Sequence, residues 1–151
     1  MFNPTSPVTG APITGLTNPT YTLSVDVAPN AYGKQWAVTA LGGTQTGVSA
    51  HTASNPFTLT AQRPPLVQAS NPAPKSVGAV QRNKYVVRTR KGVKTNADGF
   101  IVPLVIETTF SIPAGAEAFD LNSLLAAESM HQGAITQQLQ GIVDTCTSGL
   151  I

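Results

Sequence analysis

The hydropathy pattern of this chain changes period once, at Pro113, and that switch limits the folds open to it. Before Pro113 apolar residues recur at every second position; after it they recur at three and four. Tyr21, Leu23, Val25 and Val27 alternate with Thr22, Ser24 and Asp26, and Trp36, Val38 and Ala40 alternate again until Gly42-Gly43 breaks the run. A weaker strand is expected around 46–51. Phe57, Leu59 and Ala61 then alternate with Thr58, Thr60 and Gln62, and Pro64-Pro65 stops that strand. From Lys84 to Lys91 the side chains of Tyr85, Val87 and Thr89 face one way and those of Lys84, Val86, Arg88 and Arg90 the other. After a turn at Asn96-Ala97-Asp98-Gly99, the longest strand candidate covers 100–112, with Pro103 favouring an edge position or a bulge.

Beyond Pro113, Asp120 can cap a helix bearing Leu121, Leu124 and Leu125 on one stripe. Gly133 interrupts, and Ile135, Leu139, Ile142, Val143 and Cys146 trace a second amphipathic helix that Gly149 closes. Five to seven strands in series followed by two helices predict an α+β fold, an antiparallel sheet with helices on one face. At 151 residues the chain makes one domain. Residues 1–19, with Pro4, Pro7, Pro12 and Pro19, read as an extended arm, 20–151 as the domain, 20–113 as its strands and 114–151 as its helices. Residues 66–81 read as a long loop.

Charged residues make up only 11% of the chain, against ~25% in an average domain. Their distribution says more than their number. All nine basic residues and a single acid, Asp26, lie in residues 1–97; the other six acids follow, with no Lys or Arg among them. Arg82, Lys84, Arg88, Arg90, Lys91 and Lys94 fall within thirteen residues. On a strand, such a cluster forms a basic strip on a sheet face, where Thr58, Thr60 and Gln62 add hydroxyl and amide groups. An anion-binding surface, with nucleic acid as the anion, is the expectation.

The residues exclude most chemistry. The longest apolar stretch, 100–106, is far short of a membrane-crossing helix, and no membrane partner is expected. The amino terminus has neither the basic nor the apolar region of a secretory signal. One cysteine and two histidines, His51 and His131, supply no metal-ligand cluster, and no metal or other cofactor is expected. Cys146 sits on an apolar stripe and reads as a buried structural residue. Nucleophile elbow, phosphate loop and dinucleotide fingerprint are all missing from the sequence, so an enzyme is not expected.

Asn83-Lys84-Tyr85-Val86-Val87-Arg88, a short loop, a long strand ending Thr109-Phe110-Ser111-Ile112-Pro113 and two helices from near Asp120 together resemble the coat protein of single-stranded RNA bacteriophages of the levivirus type. Phe57-Thr58-Leu59-Thr60-Ala61-Gln62 resembles the preceding RNA-facing strand of that family. The resemblance implies an antiparallel sheet with an amino-terminal hairpin and two carboxyl-terminal helices, packed as an intertwined two-fold dimer. It implies a homodimer that assembles into an icosahedral shell of about 180 copies, made in the bacterial cytoplasm and located in the virion. The partner is single-stranded genomic RNA, and in many members a hairpin of that RNA is bound to repress translation. RNA-facing positions fall on Thr58, Thr60, Val86, Arg88, Glu107 and Thr109. Gln62 lies within reach of RNA, and Arg82, Lys84 and Arg90 supply charge neutralisation. The dimer interface falls on Leu121, Leu124, Leu125, Ile135, Leu139, Ile142 and Val143. Two readings of a different class stay open at this point: a monomeric regulatory RNA-binding module, and a surface or tail β-domain that binds no RNA.

Overall fold

The computed structural model describes residues 1–71 and 80–150. The middle of the expected 66–81 loop, residues 72–79, lies outside them. Six strands form one antiparallel sheet in sequence order: β1 (Val8–Thr9), β2 (Thr17–Asp26), β3 (Gly33–Thr44), β4 (Phe57–Gln62), β5 (Arg82–Lys94) and β6 (Ile101–Pro113). Three helices follow: α1 (Ala116–Phe119), α2 (Leu121–Gln137) and α3 (Leu139–Ser148). The α+β class and the order of strands before helices are those the pattern predicts, and the amino-terminal hairpin is the one the resemblance implies; the short α1 is a third helix where two are expected.

Several local expectations need correcting. Gly42-Gly43 does not end its strand; β3 runs on to Thr44 opposite Thr17 through an irregular register. Gly43 has a φ of +71°, and a Cβ there would strike the carbonyl oxygens of Thr17 and Asn18. This glycine marks a close approach of two backbones, which a sequence pattern cannot tell from a strand end. Residues 46–51 form no strand; the segment turns at Gln45–Val48, and His51 N–H donates to the carbonyl of Val38. Gly133 does not interrupt its helix either. It lies within α2, and the break falls instead at Gln138. Ile135 therefore belongs to the first long helix. The expected arm boundary at 19/20 falls inside β2, and the segment before it is tied down: Val8 and Thr9 pair with β2, Ser6 Oγ accepts from Leu23 N–H, and Phe2 lies on Trp36 at 5.9 Å between ring centroids.

Pairing in register places opposed residues on the same face, so the ladder defines two surfaces. One carries Trp36, Leu59, Val87, Tyr85, Phe110 and Ile106, the apolar face. The other carries Asp26, Gln35, Thr60, Arg88 and Glu107 in one row, with Thr58 and Arg90 beside it. The only strongly buried apolar residues among those described are Trp36, Ala37 and Val38, in the middle of the sheet.

Sequence periodicity predicts helices covering one sheet face. Within one chain they do not. Among the described residues only α1 brings its backbone close to a strand, β6; α2 lies across a groove from β6, and neither α2 nor α3 has a buried residue. A groove of about 380 Å³ separates α2 from β6, lined by Phe110, Ile112, Leu124 and Ala127 among others. The edge strand β6 is largely exposed: Ile106 on the apolar face is 61% accessible, and Leu104 and Val102 on that face are exposed too. Cys146, expected to be buried, is a free thiol that is not buried in this chain.

Candidate nucleic-acid interface

The polar face is assembled from five strands, β2 to β6. β5 contributes Arg82, Lys84, Val86, Arg88 and Arg90 at alternate positions, and β4 contributes Thr58, Thr60 and Gln62 opposite Arg90, Arg88 and Val86. β6 adds Thr109 opposite Val86 and Glu107 opposite Arg88. All ten positions expected to meet RNA thus lie on the same face. Lys91, equally part of the basic cluster in sequence, faces the other way. Its ammonium bonds Asn55 Oδ1 at 2.8 Å and lies 5.3 Å from the centre of the Phe57 ring, and burial lowers its pKa.

Two groups of hydrogen bonds order this face, one centred on Gln35 and one on Glu107. Gln35 on β3 is the hub of the first, a residue that the sequence reading does not single out. Its Nε2 donates to Asp26 Oδ2 at 2.7 Å, and its Oε1 accepts from Thr60 Oγ1 at 3.0 Å and from Arg90 Nη2 at 3.3 Å. The Gln35 bond, then the Val27 N–H, hold the Asp26 carboxyl below the usual carboxylate pKa. Only the cross-strand register brings Asp26, Gln35, Thr60 and Arg90 together; nothing in the local sequence around any one of them signals it.

The two threonine hydroxyls are not at the surface. Thr58 and Thr60 are each 3% accessible, and Thr58 Oγ1 and Arg90 Nε are buried without a hydrogen-bond partner. Buried polar atoms without partners cost free energy, so this spot is unsaturated. Arg88 binds Glu107 instead: Nη2 and Nε reach Oε2 at 2.6 and 2.7 Å, while Thr109 Oγ1 donates to Oε1 at 3.2 Å. This is the one ion pair among the described residues. Arg82 Nη1 donates to the Ser111 carbonyl, and Lys84 is exposed. Among the described residues no group of His, Cys, Asp and Glu could hold a metal ion. What the surface offers chemically is positive charge on ordered strands, with the Thr109 hydroxyl exposed and the Gln62 amide half-buried beside it.

The seven apolar residues expected at a dimer interface form no site in the single chain. Leu121, Leu125, Ile142 and Val143 are exposed, and Leu124, Ile135 and Leu139 are half-buried.

No family model and no curated protein matches this chain. Solved structures do. The virus-like particle of bacteriophage ESE020 has a subunit 44% identical in sequence, superposing with a TM-score of 0.93 over 100% of both chains. The subunit of the virus-like particle of Beihai levi-like virus 32 gives a TM-score of 0.52 at 17% identity, over 87% of this chain and 88% of the other. That of Wenzhou levi-like virus 4 gives 0.51 at 20% identity, over 99% and 82%. The two distant likenesses show a shared fold, and the first shows kinship along the whole chain. The sheet, the trailing helices and this full-length match make the chain a structural protein of the virion and not an enzyme: it belongs to the coat-protein family of the levivirus-type RNA bacteriophages.

Proposed function

We propose that this coat protein packages single-stranded RNA against its polar sheet face, in a shell built from two-fold dimers of about 180 copies in all. The observation carrying the RNA reading is the alignment of Arg82, Lys84 and Arg90 along one strand face, with no acid paired to any of the three among the described residues. Three cations spaced along a strand neutralise a phosphate chain without reading its bases. The dimer reading is supported by the opposite surface. Apolar side chains on β6, α2 and α3 are exposed in the single chain, and the groove between α2 and β6 is open; a second copy's helices would cover the first and fill the second. An open β6 edge of thirteen residues would likewise be closed by a partner strand.

Repression of translation through a genomic hairpin would use the same polar face. Thr58 and Thr60 are buried and the Thr60 hydroxyl is already bonded to Gln35, so a base reaches neither hydroxyl without local rearrangement, and encapsidation is the function this geometry supports best. Expression in bacteria followed by nuclease treatment tests the proposal. Closed particles holding nuclease-protected RNA are expected. Empty particles would remove the RNA reading, and a discrete complex that never assembles would point to a regulatory module.

A further inference from the structure

Arg88 and Arg90 are neighbours on one face of β5 with opposite electrostatic surroundings. Arg90 faces Val105 across the β5–β6 ladder and is held by the neutral oxygen of Gln35. Arg88 faces Glu107, whose Oε2 takes both its Nη2 and its Nε. Of the six acids after residue 97, Glu107 is the one on a strand, and its register puts it on the basic face. The carboxylate is fixed by a second bond, because Thr109 Oγ1 donates to Oε1 from two residues along the same strand. The pair is half-exposed, with accessibilities of 38% for Arg88 and 35% for Glu107, so a phosphate oxygen can reach it.

We propose that Glu107 is a selectivity residue for RNA: a carboxylate seated on Arg88 that a phosphate must displace before this arginine can bind. This rests on the reading of the polar face as the RNA surface and assigns a specific role within it. Carboxylate and phosphate compete for the same guanidinium edge. The carboxylate is tethered at contact distance, so it competes at high effective concentration. A phosphate chain passing over the face therefore engages Lys84 and Arg90 without Arg88, and nonspecific affinity stays low. When displaced, Glu107 keeps its bond to Thr109 and is not left unpartnered.

Fluorescence anisotropy with a labelled single strand of about 20 nucleotides and mixed sequence tests this, using the full-length chain below its assembly threshold. Four proteins are compared over a salt series: wild type, Glu107→Gln, Arg88→Ala and the double variant. Glu107→Gln is expected to tighten binding about tenfold at low salt and to steepen the slope of log K against log salt by about 0.7, one further phosphate on a single strand. That gain should vanish in the Arg88→Ala background. An equal gain with and without Arg88 would overturn the proposal in favour of simple repulsion, and no gain would overturn it outright. A lower unfolding midpoint with unchanged binding would make the pair purely structural and also overturn it. Wild type that binds no RNA, or binds it without salt dependence, would instead sink the RNA reading itself.

Discussion

The side-chain oxygen of Gln35 accepts hydrogen bonds from both Thr60 and Arg90, and its amide nitrogen is anchored on Asp26. One buried amide thus fixes the direction of the guanidinium that the RNA reading relies on most. Gln35→Leu keeps the volume but leaves Thr60 and Arg90 without their acceptor. The expected cost is about 1–3 kcal/mol of stability, read from urea unfolding by the fluorescence of Trp36, the chain's single tryptophan. A midpoint equal to wild type would show that the hub contributes nothing.

Asp26 gives this network a pH dependence. Its pKa is lowered in the folded state, chiefly by the Gln35 bond and then by the Val27 N–H. A lowered carboxylate pKa contributes stability that is fully present above the unfolded value, about 3.9, and is lost as pH falls through the folded value. Asp26→Asn should therefore lose less stability than wild type between about pH 5 and pH 2. Thermal unfolding across that range measures it, and parallel curves for the two proteins would contradict it. Because Asp26 is only partly buried, solvent screening keeps the effect small.

The helix residues separate a lone subunit from an intertwined one. In a monomer, Leu125→Asp and Ile142→Asp alter exposed positions and should shift stability by no more than about 0.5 kcal/mol. In a dimer both side chains are covered, and a buried unpaired carboxylate is costly. The dimer account predicts that each variant loses dimers and particles by light scattering. Retention of both would count against those stripes as an interface.

Asn83, the most deeply buried polar side chain among the described residues at 1% accessibility, binds Gln68 twice, accepting from its N–H at 2.8 Å and donating to its carbonyl at 3.0 Å. It does for the 63–70 segment what a strand partner would do. Asn83→Ala leaves both backbone groups of Gln68 unpaired and should cost about 2–3 kcal/mol. Urea unfolding measures that loss, and a change under 0.5 kcal/mol would contradict the role.

Much of this fold is legible in the sequence because alternation and turn residues reinforce one another. β4 has the bounds that its alternation and Pro64-Pro65 give it, and Asp120 caps α2, its Oδ1 accepting from Ser123 N–H at 3.3 Å. Several of the failures are at glycines or across strands. Gly42-Gly43 and Gly133 read as punctuation, but the first admits a close backbone approach, and the second is tolerated inside a helix at a cost of roughly 1 kcal/mol. The basic strip is visible as a run of residues, and its face follows from alternation, which also sets Lys91 apart. The hub at Gln35 and the Arg88–Glu107 pair are invisible until register joins residues 9 to 55 positions apart. Nor can one chain's pattern reveal that its helices leave their own sheet uncovered.

The central claim is that RNA lies against the polar face, and cryo-electron microscopy of purified particles tests it most directly. The account predicts nucleic-acid density beside Lys84 and Arg90 on the inner side of each dimer, with the helices facing outward. Shells whose RNA density lies against the helices, with the polar face turned away from it, would contradict the account.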